Sequence, residues 1–221
     1  MNKITLLPEE VANKIAAGEV IERPASIVKE LVENSIDSGA KQIKIEIHNA
    51  GIDEIKVTDD GCGITEEDLP LSIMRHGTSK ILKLSDLSNI NSLGFRGEAL
   101  SSISAISELK IITRPPNKDF GFSLTVRGGS LIAPVERCAN NKGSIFHVKN
   151  LFFNTPARKK FLKSKAIENK KIKLTFMRLA LAHPGINFQL INEGKTIFNL
   201  KSIQEKEEAL RFDHFCNENF S

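Results

Sequence analysis

The chain has 221 residues, of which 40% are apolar and 26% charged, with a net charge of +4. That balance is globular, and a charge so mild does not by itself require a nucleic-acid partner. No apolar run reaches the ~18 residues of a membrane helix, the start MNKITLLPEEVANKIAAGEV lacks the form of a secretory leader, and Cys62, Cys138 and Cys216 make no CxxC pair, so disulfide frameworks and zinc sites are set aside and a reducing intracellular compartment is expected.

In chain order, Pro8 suits a first helical position, and Val11, Ala12, Ile15 and Ala16 recur at helical spacing up to a stop expected at Gly18. A second helix is predicted from Pro24 to Gly39, where a left-handed terminal residue is easiest for glycine. Ile43, Ile45 and Ile47 alternate with Lys44, Glu46 and His48, the period of a half-buried strand. Asn49-Ala50-Gly51 supplies a turn, and Ile55 and Val57 return. Thr65 followed by Glu66, Glu67 and Asp68 reads as a helix start, with acidic residues on the favourable end of the dipole.

Residues 76–97 have no sustained period and form a long loop, a length that usually carries function. Helix is predicted from Glu98 to Ser104, and strands over 108–114, 120–127, 130–136 and 144–150. Asn154-Thr155-Pro156 announces a helix, 167–182 another, then come strands at 187–191 and 195–200 and a helical piece near 203–211. Hairpins are frequent and regular βαβα alternation is missing. The fold class expected is α+β, a two-layer sandwich of helices on a mixed, largely antiparallel sheet.

Three segments carry chemistry. On the helix from Pro24, Ile27, Val28, Leu31, Val32 and Ile36 share one side, while Glu30, Glu33, Asn34 and Asp37 fall in an arc on the other. That arc is either an acidic solvated face, or a carboxylate and an amide oxygen one turn apart that polarise water and hold a divalent cation. Asp59-Asp60-Gly61-Cys62-Gly63 is either an acidic turn or a strand-end carboxylate that accepts from an exocyclic amine beside glycines lining a flat ring. Gly94-Phe95-Arg96-Gly97-Glu98-Ala99-Leu100 opens a helix with backbone N–H groups suited to an anion, but matches neither a P-loop nor a Rossmann pattern. A basic cluster, Arg158, Lys159, Lys160, Lys163, Lys165, Lys170, Lys171 and Lys173, opposed only by Glu168, is a solvated face or a phosphate-binding surface.

Read together, KELVENSIDSGA, DDGCGI, RHGTSKI and SLGFRGEALSSIS, with IAAGEVIERPAS before them and LFFNTPARKKFL after, resemble the successive motifs of MutL-type mismatch repair proteins, within the GHKL group of ATPases. A looser spelling of the same site is shared with gyrase-type topoisomerases, heat-shock chaperones and histidine kinases. The resemblance implies ATP and Mg²⁺ as cofactors. It makes Glu30 the general base, Asn34 the metal and nucleotide ligand, and Asp59 the partner of the adenine amine, with Gly61 and Gly63 shaping the pocket. Thr78, Ser79 and Lys80 would contact nucleotide, and the backbone of Gly94, Phe95, Arg96, Gly97, Glu98, Ala99 and Leu100 would wrap the phosphates, so that 76–97 forms a lid. Gly143-Ser144 stands where the family usually has Gly-Thr, and keeps the hydroxyl.

The resemblance further implies an ATPase domain over 1–201, with 202–221 starting the connection to a second domain that supplies a lysine to the γ-phosphate. A chain stopping at Ser221 is expected to bind ATP and hydrolyse it poorly. Expected partners are a second family member in a homo- or hetero-dimer, DNA (through Arg158, Lys159, Lys160 and Lys163), a MutS-type mismatch recognition protein and a downstream endonuclease or helicase, with no membrane. The compartment is bacterial cytoplasm or a nucleus, with the bacterial case favoured. A topoisomerase ATPase subunit fits IAAGEVIERP and NTPARKKF poorly, and a non-catalytic relative fits poorly with the presence of Glu30, Asn34 and Asp59.

Overall fold

The computed structural model describes residues 5–80, 83, 92–94 and 96–203. Six helices occur among them: α1 (Glu9–Val20), α2 (Pro24–Asp37), α3 (Asp68–Ser72), α4 (Ala99–Ile106), α5 (Pro156–Phe161) and α6 (Lys165–Ala182). Eight strands, β1 (Gln42–His48), β2 (Glu54–Asp59), β3 (Glu108–Arg114), β4 (Gly121–Arg127), β5 (Ser130–Cys138), β6 (Gly143–Lys149), β7 (Asn187–Asn192) and β8 (Lys195–Leu200), form one sheet. Its order is β5-β4-β3-β6-β2-β1-β7-β8. Only β1 and β7 run parallel, Ile43 facing Phe188 and Ile45 facing Leu190, and every other pair is antiparallel. The expected helices on a mixed, largely antiparallel sheet are what the chain forms.

Alternation decides which face is buried. Ile43, Ile45 and Ile47 of β1, Ile55 and Val57 of β2, and Leu109 and Ile111 of β3 turn to the helices and are buried. From above, α2 contributes Ile27, Val28, Leu31 and Val32, the side read from its helical period. At the other end Phe176 of α6 stacks on Phe198 and meets Phe188 edge-on, seating α6 on β7 and β8. The outer strand β5 carries Pro134, tolerated there because an edge strand has N–H groups that need no ladder partner.

Most predicted elements lie within a few residues of their observed bounds. Helix α2 ends at Asp37 with Gly39 at φ +77°, and Asn49–Gly51 makes a single 3₁₀ turn. The helix start read at Thr65 lies slightly later: α3 begins at Asp68 with Glu67 at its N-cap, and Thr65 Oγ1 accepts Asp68 N at 3.2 Å in the preceding turn. One boundary was misplaced. Gly18 does not end α1, which continues to Val20. A side chain at that position would run into the guanidinium of Arg158, so this glycine serves a close approach inside the helix rather than a stop. The described part of 76–97 has neither helix nor strand. The helical piece expected near 203–211 lies, Ile203 apart, outside the described residues, as does Cys216; Cys62 and Cys138 are free thiols.

Candidate functional site

The C-terminal turns of α2 stand over the end of β2, which pairs there with the start of β6. Asp59, the last residue of β2, is buried there. Its Oδ2 accepts the Ser35 hydroxyl of α2 at 2.9 Å, and its Oδ1 accepts Gly61 N at 2.9 Å and Ser144 N at 3.3 Å. Burial pushes the Asp59 carboxyl above the usual aspartate range; the three hydrogen bonds pull the other way without cancelling it. Ser144 Oγ lies 3.0 Å from Thr113 Oγ1, which also accepts Ile64 N at 2.8 Å. The result is a polar floor of Ser35, Asp59, Thr113 and Ser144 in otherwise apolar surroundings. Each carboxylate oxygen has two lone pairs, so Oδ2 retains capacity for one more donor.

The two aspartates of the turn divide the work. Asp60 faces away and accepts Lys41 N at 2.7 Å and Gln42 N at 2.9 Å, tying the end of β2 to the start of β1. Gly61 packs against Ser38, and Gly63, at φ +68°, lies where a Cβ would come within 2.6 Å of the Arg114 carbonyl oxygen. A side chain would thus meet the Ser38 side chain at Gly61 and the Arg114 backbone at Gly63.

Next to Ser35 on α2, Asn34 belongs to a second cluster. Lys80 Nζ donates to Asn34 Oδ1 at 3.1 Å and to Asp37 Oδ2 at 2.5 Å. Asp37 also accepts Leu93 N (3.0 Å, on Oδ1) and Gly94 N (3.3 Å, on Oδ2). Gly94 therefore sits beside both Lys80 and Asn34. Thr78 Oγ1 accepts Lys80 N at 3.2 Å, while the Ser79 side is exposed. Farther along, Gly97, at φ +62°, presses on the Gly77 carbonyl, where any side chain would come within 2.7 Å. Glu98 occupies the N-cap position of α4, and its carboxylate faces Arg75 and His76, each 3.7 Å away, rather than the helix end. Ala99 opens α4, Leu100 packs on the core, Arg96 is exposed, and Phe95 lies outside the described residues.

The acidic side of α2 is not a solvated face. Side-chain exposure is 24% for Glu30, 11% for Glu33 and 10% for Asp37. Lys29 bridges the first two, 3.2 Å from Glu30 and 2.8 Å from Glu33. Partial burial works against the Lys29 ammonium, but its hydrogen bond to Glu33 and both carboxylate charges hold its pKa above the ordinary lysine value. Sequence reasoning placed Asp37 on this arc but gave it no role, and missed Ser35 and Thr113. Asp37 lay in plain view, one turn from Asn34. Thr113 carried no local signal, because only the β3–β6 register sets it opposite Ser144.

The basic cluster divides as well. Lys159, Lys160 and Lys163 are exposed on and after α5. Arg158 is not: its Nη2 donates to Ile15 O at 3.2 Å and its head lies against Gly18. Glu168, counted among the surface charges, is fully buried and accepts Lys163 N at 3.0 Å and Arg23 Nη1 at 3.4 Å. The surface cluster thus has no carboxylate from this residue beside it.

Comparisons with known proteins agree with one another. Residues 22–127 match the family described as histidine kinase-, DNA gyrase B- and HSP90-like ATPase. The DNA mismatch repair protein MutL of Caldanaerobacter subterraneus subsp. tengcongensis is 54% identical over 90% of this chain and 33% of its own length. That of Actinobacillus pleuropneumoniae is 45% identical over all of this chain and 36% of its own length. Among solved structures, the ADP-complexed ATPase domain of Aquifex aeolicus MutL is 32% identical with a TM-score of 0.73, covering 88% of this chain and 70% of that one. The chain spans about a third of the length of the curated relatives it matches. Among the described residues no helix is long and apolar enough to cross a membrane.

Proposed function

The chain belongs to the MutL family of DNA mismatch repair proteins, as its GHKL ATPase region, and from that premise we propose that it binds ATP between α2, the β2–α3 turn and the α4 start, and hydrolyses it slowly with Mg²⁺. The observation that carries this reading is the buried Asp59 carboxylate, held by Ser35, Gly61 and Ser144 with one lone pair to spare. A buried acceptor with spare capacity selects a ring that presents an amine and rejects one that presents a carbonyl at the same place. That describes adenine and excludes guanine.

Among the described residues no three His, Cys, Asp or Glu side chains are arranged to hold a metal ion. A single amide oxygen, Asn34 Oδ1, fits Mg²⁺ all the same, since this ion is commonly held by one or two protein oxygens plus phosphate and water. When bound it neutralises charge building on the phosphates. Glu30, one turn earlier on α2, takes the proton of the attacking water. The N–H groups around Gly94 and Gly97 receive the phosphates, and Thr78, Ser79 and Lys80 approach them from the loop. Residues 1–201 form the ATPase unit in this reading, and 202–221 begin the connection to a second domain that contributes a lysine.

In the whole protein, ATP orders the 76–97 lid and drives pairing of two such regions, in a homo- or hetero-dimer. The pairing couples a MutS-type recognition protein to strand incision and removal by an endonuclease or helicase in a bacterial cytoplasm. Lys159, Lys160 and Lys163 meet DNA phosphates. Calorimetric titration with ATP and GTP tests the core of the proposal: ATP binding with GTP excluded is expected, and equal binding of both overturns it.

A further inference from the structure

A second polar cluster gathers around Asp37, and the nucleotide reading gives that carboxylate no role. A single carboxylate receives Lys80 Nζ and Gly94 N on Oδ2 and Leu93 N on Oδ1. The same ammonium lies 3.1 Å from Asn34 Oδ1. Asp37 is buried enough, at 10% side-chain exposure, for the pairing to escape most solvent screening, and Lys80 is 23% exposed.

An ammonium held between an amide oxygen and a carboxylate occupies the electrostatic position of a metal ion. We propose that Lys80 is a tethered cation that competes with the divalent metal for Asn34, and that Asp37 is the counter-ion holding it there when no nucleotide is bound. Asp37 also borrows the N–H groups of Leu93 and of Gly94, the second of which the nucleotide reading assigns to phosphate. Metal and phosphate therefore arrive at a site whose cation and anion positions are already filled from within the chain. Binding exchanges one set of charge pairs for another: Lys80 leaves Asn34 for the phosphates, and Leu93 and Gly94 leave Asp37.

The inference rests on the nucleotide reading, but its sign is its own. If Lys80 only touched phosphate, Lys80→Met would weaken ATP and raise the Mg²⁺ needed. As a competitor, its removal lowers the Mg²⁺ concentration that half-saturates the metal-dependent part of ATP binding, by roughly five-fold, the scale of one partly exposed ion pair. Titration calorimetry with ATP over a Mg²⁺ series reads this directly. Asp37→Ala supplies a second measurement without any ligand: exchange of the Leu93 and Gly94 amides speeds up in the nucleotide-free protein. An unchanged or raised Mg²⁺ requirement in Lys80→Met, or unchanged amide exchange in Asp37→Ala, overturns the competition. Failure of the parent chain to bind ATP at all removes the nucleotide reading and this inference together, whereas ATP binding with unchanged variants removes this inference alone.

Discussion

Ser35 Oγ lies 2.9 Å from Asp59 Oδ2 and 3.0 Å from Leu31 O. One hydroxyl proton serves two acceptors, a helix carbonyl and a carboxylate at the end of β2. The joint tolerates a change at Asp59 because the hydroxyl can turn fully to Leu31 and accept from an amide instead. Asp59→Asn is therefore expected to fold with undiminished stability, by thermal unfolding, while losing its preference for ATP over GTP. A large fall in melting temperature would make Asp59 a structural residue first.

The raised Asp59 pKa has a pH consequence. The folded protein holds this proton more tightly than the unfolded chain. Its contribution to stability is therefore present at low pH and lost as pH rises through the folded value, the reverse of an ion-paired carboxylate. Function runs the other way, since the protonated group no longer offers adenine a charged acceptor. ATP affinity should fall on acidification with a midpoint above the ordinary aspartate value of 3.8. The profile of Asp59→Asn should lack that step; the same step in the variant would assign it to another group.

Asn34→Ala removes the only side-chain oxygen proposed for the metal. Magnesium-dependent ATP binding should vanish by calorimetry, and wild-type affinity in the variant would place the metal elsewhere.

Glu30→Ala should leave ATP binding nearly intact and cut turnover by about 10²–10⁴-fold, the usual contribution of a positioned base. The assay belongs in the full-length protein, where the second-domain lysine is expected. Turnover at the parent rate would end the case for Glu30 and direct attention to Glu33, which shares Lys29 with it.

The basic cluster yields a split prediction. Neutralising Lys159, Lys160 and Lys163 should weaken DNA binding and flatten the slope of log affinity against log salt by about 3. Arg158→Ala should instead lower stability, by about 1–2 kcal/mol through lost packing and one hydrogen bond, and leave the salt slope alone. The opposite pattern would mean that Arg158 swings outward to DNA.

What was legible in the sequence was whatever neighbours in the chain decide. The buried stripe of α2, the alternation of β1 and the turn at Asn49–Gly51 follow from spacing alone, because a helix turn or a pleat imposes its period on adjacent residues. What was misread depends on residues far away. Gly18 looks like a stop until Arg158, 140 positions on, is seen against it. Glu168 looks like a surface charge until Arg23 and Lys163 N close around it. The acidic side of α2 could not be told from a solvated face, since its cover comes from Lys80 and the 93–94 backbone.

The lone parallel pair sets a schedule for synthesis. β2 turns back on β1 at once, and β3, β4 and β5 fold up as neighbours. The other edge of β1 must wait for β7, since Ile43 meets Phe188. A ribosome adding ~5–20 residues per second takes about 7–29 s to cover that interval. Throughout it a strand built on Ile43, Ile45 and Ile47 stands with open backbone N–H and carbonyl groups, ready to pair with another nascent chain. Slower translation between the two segments lengthens that exposure, which makes β1 the place where crowding or heat would first turn folding into aggregation.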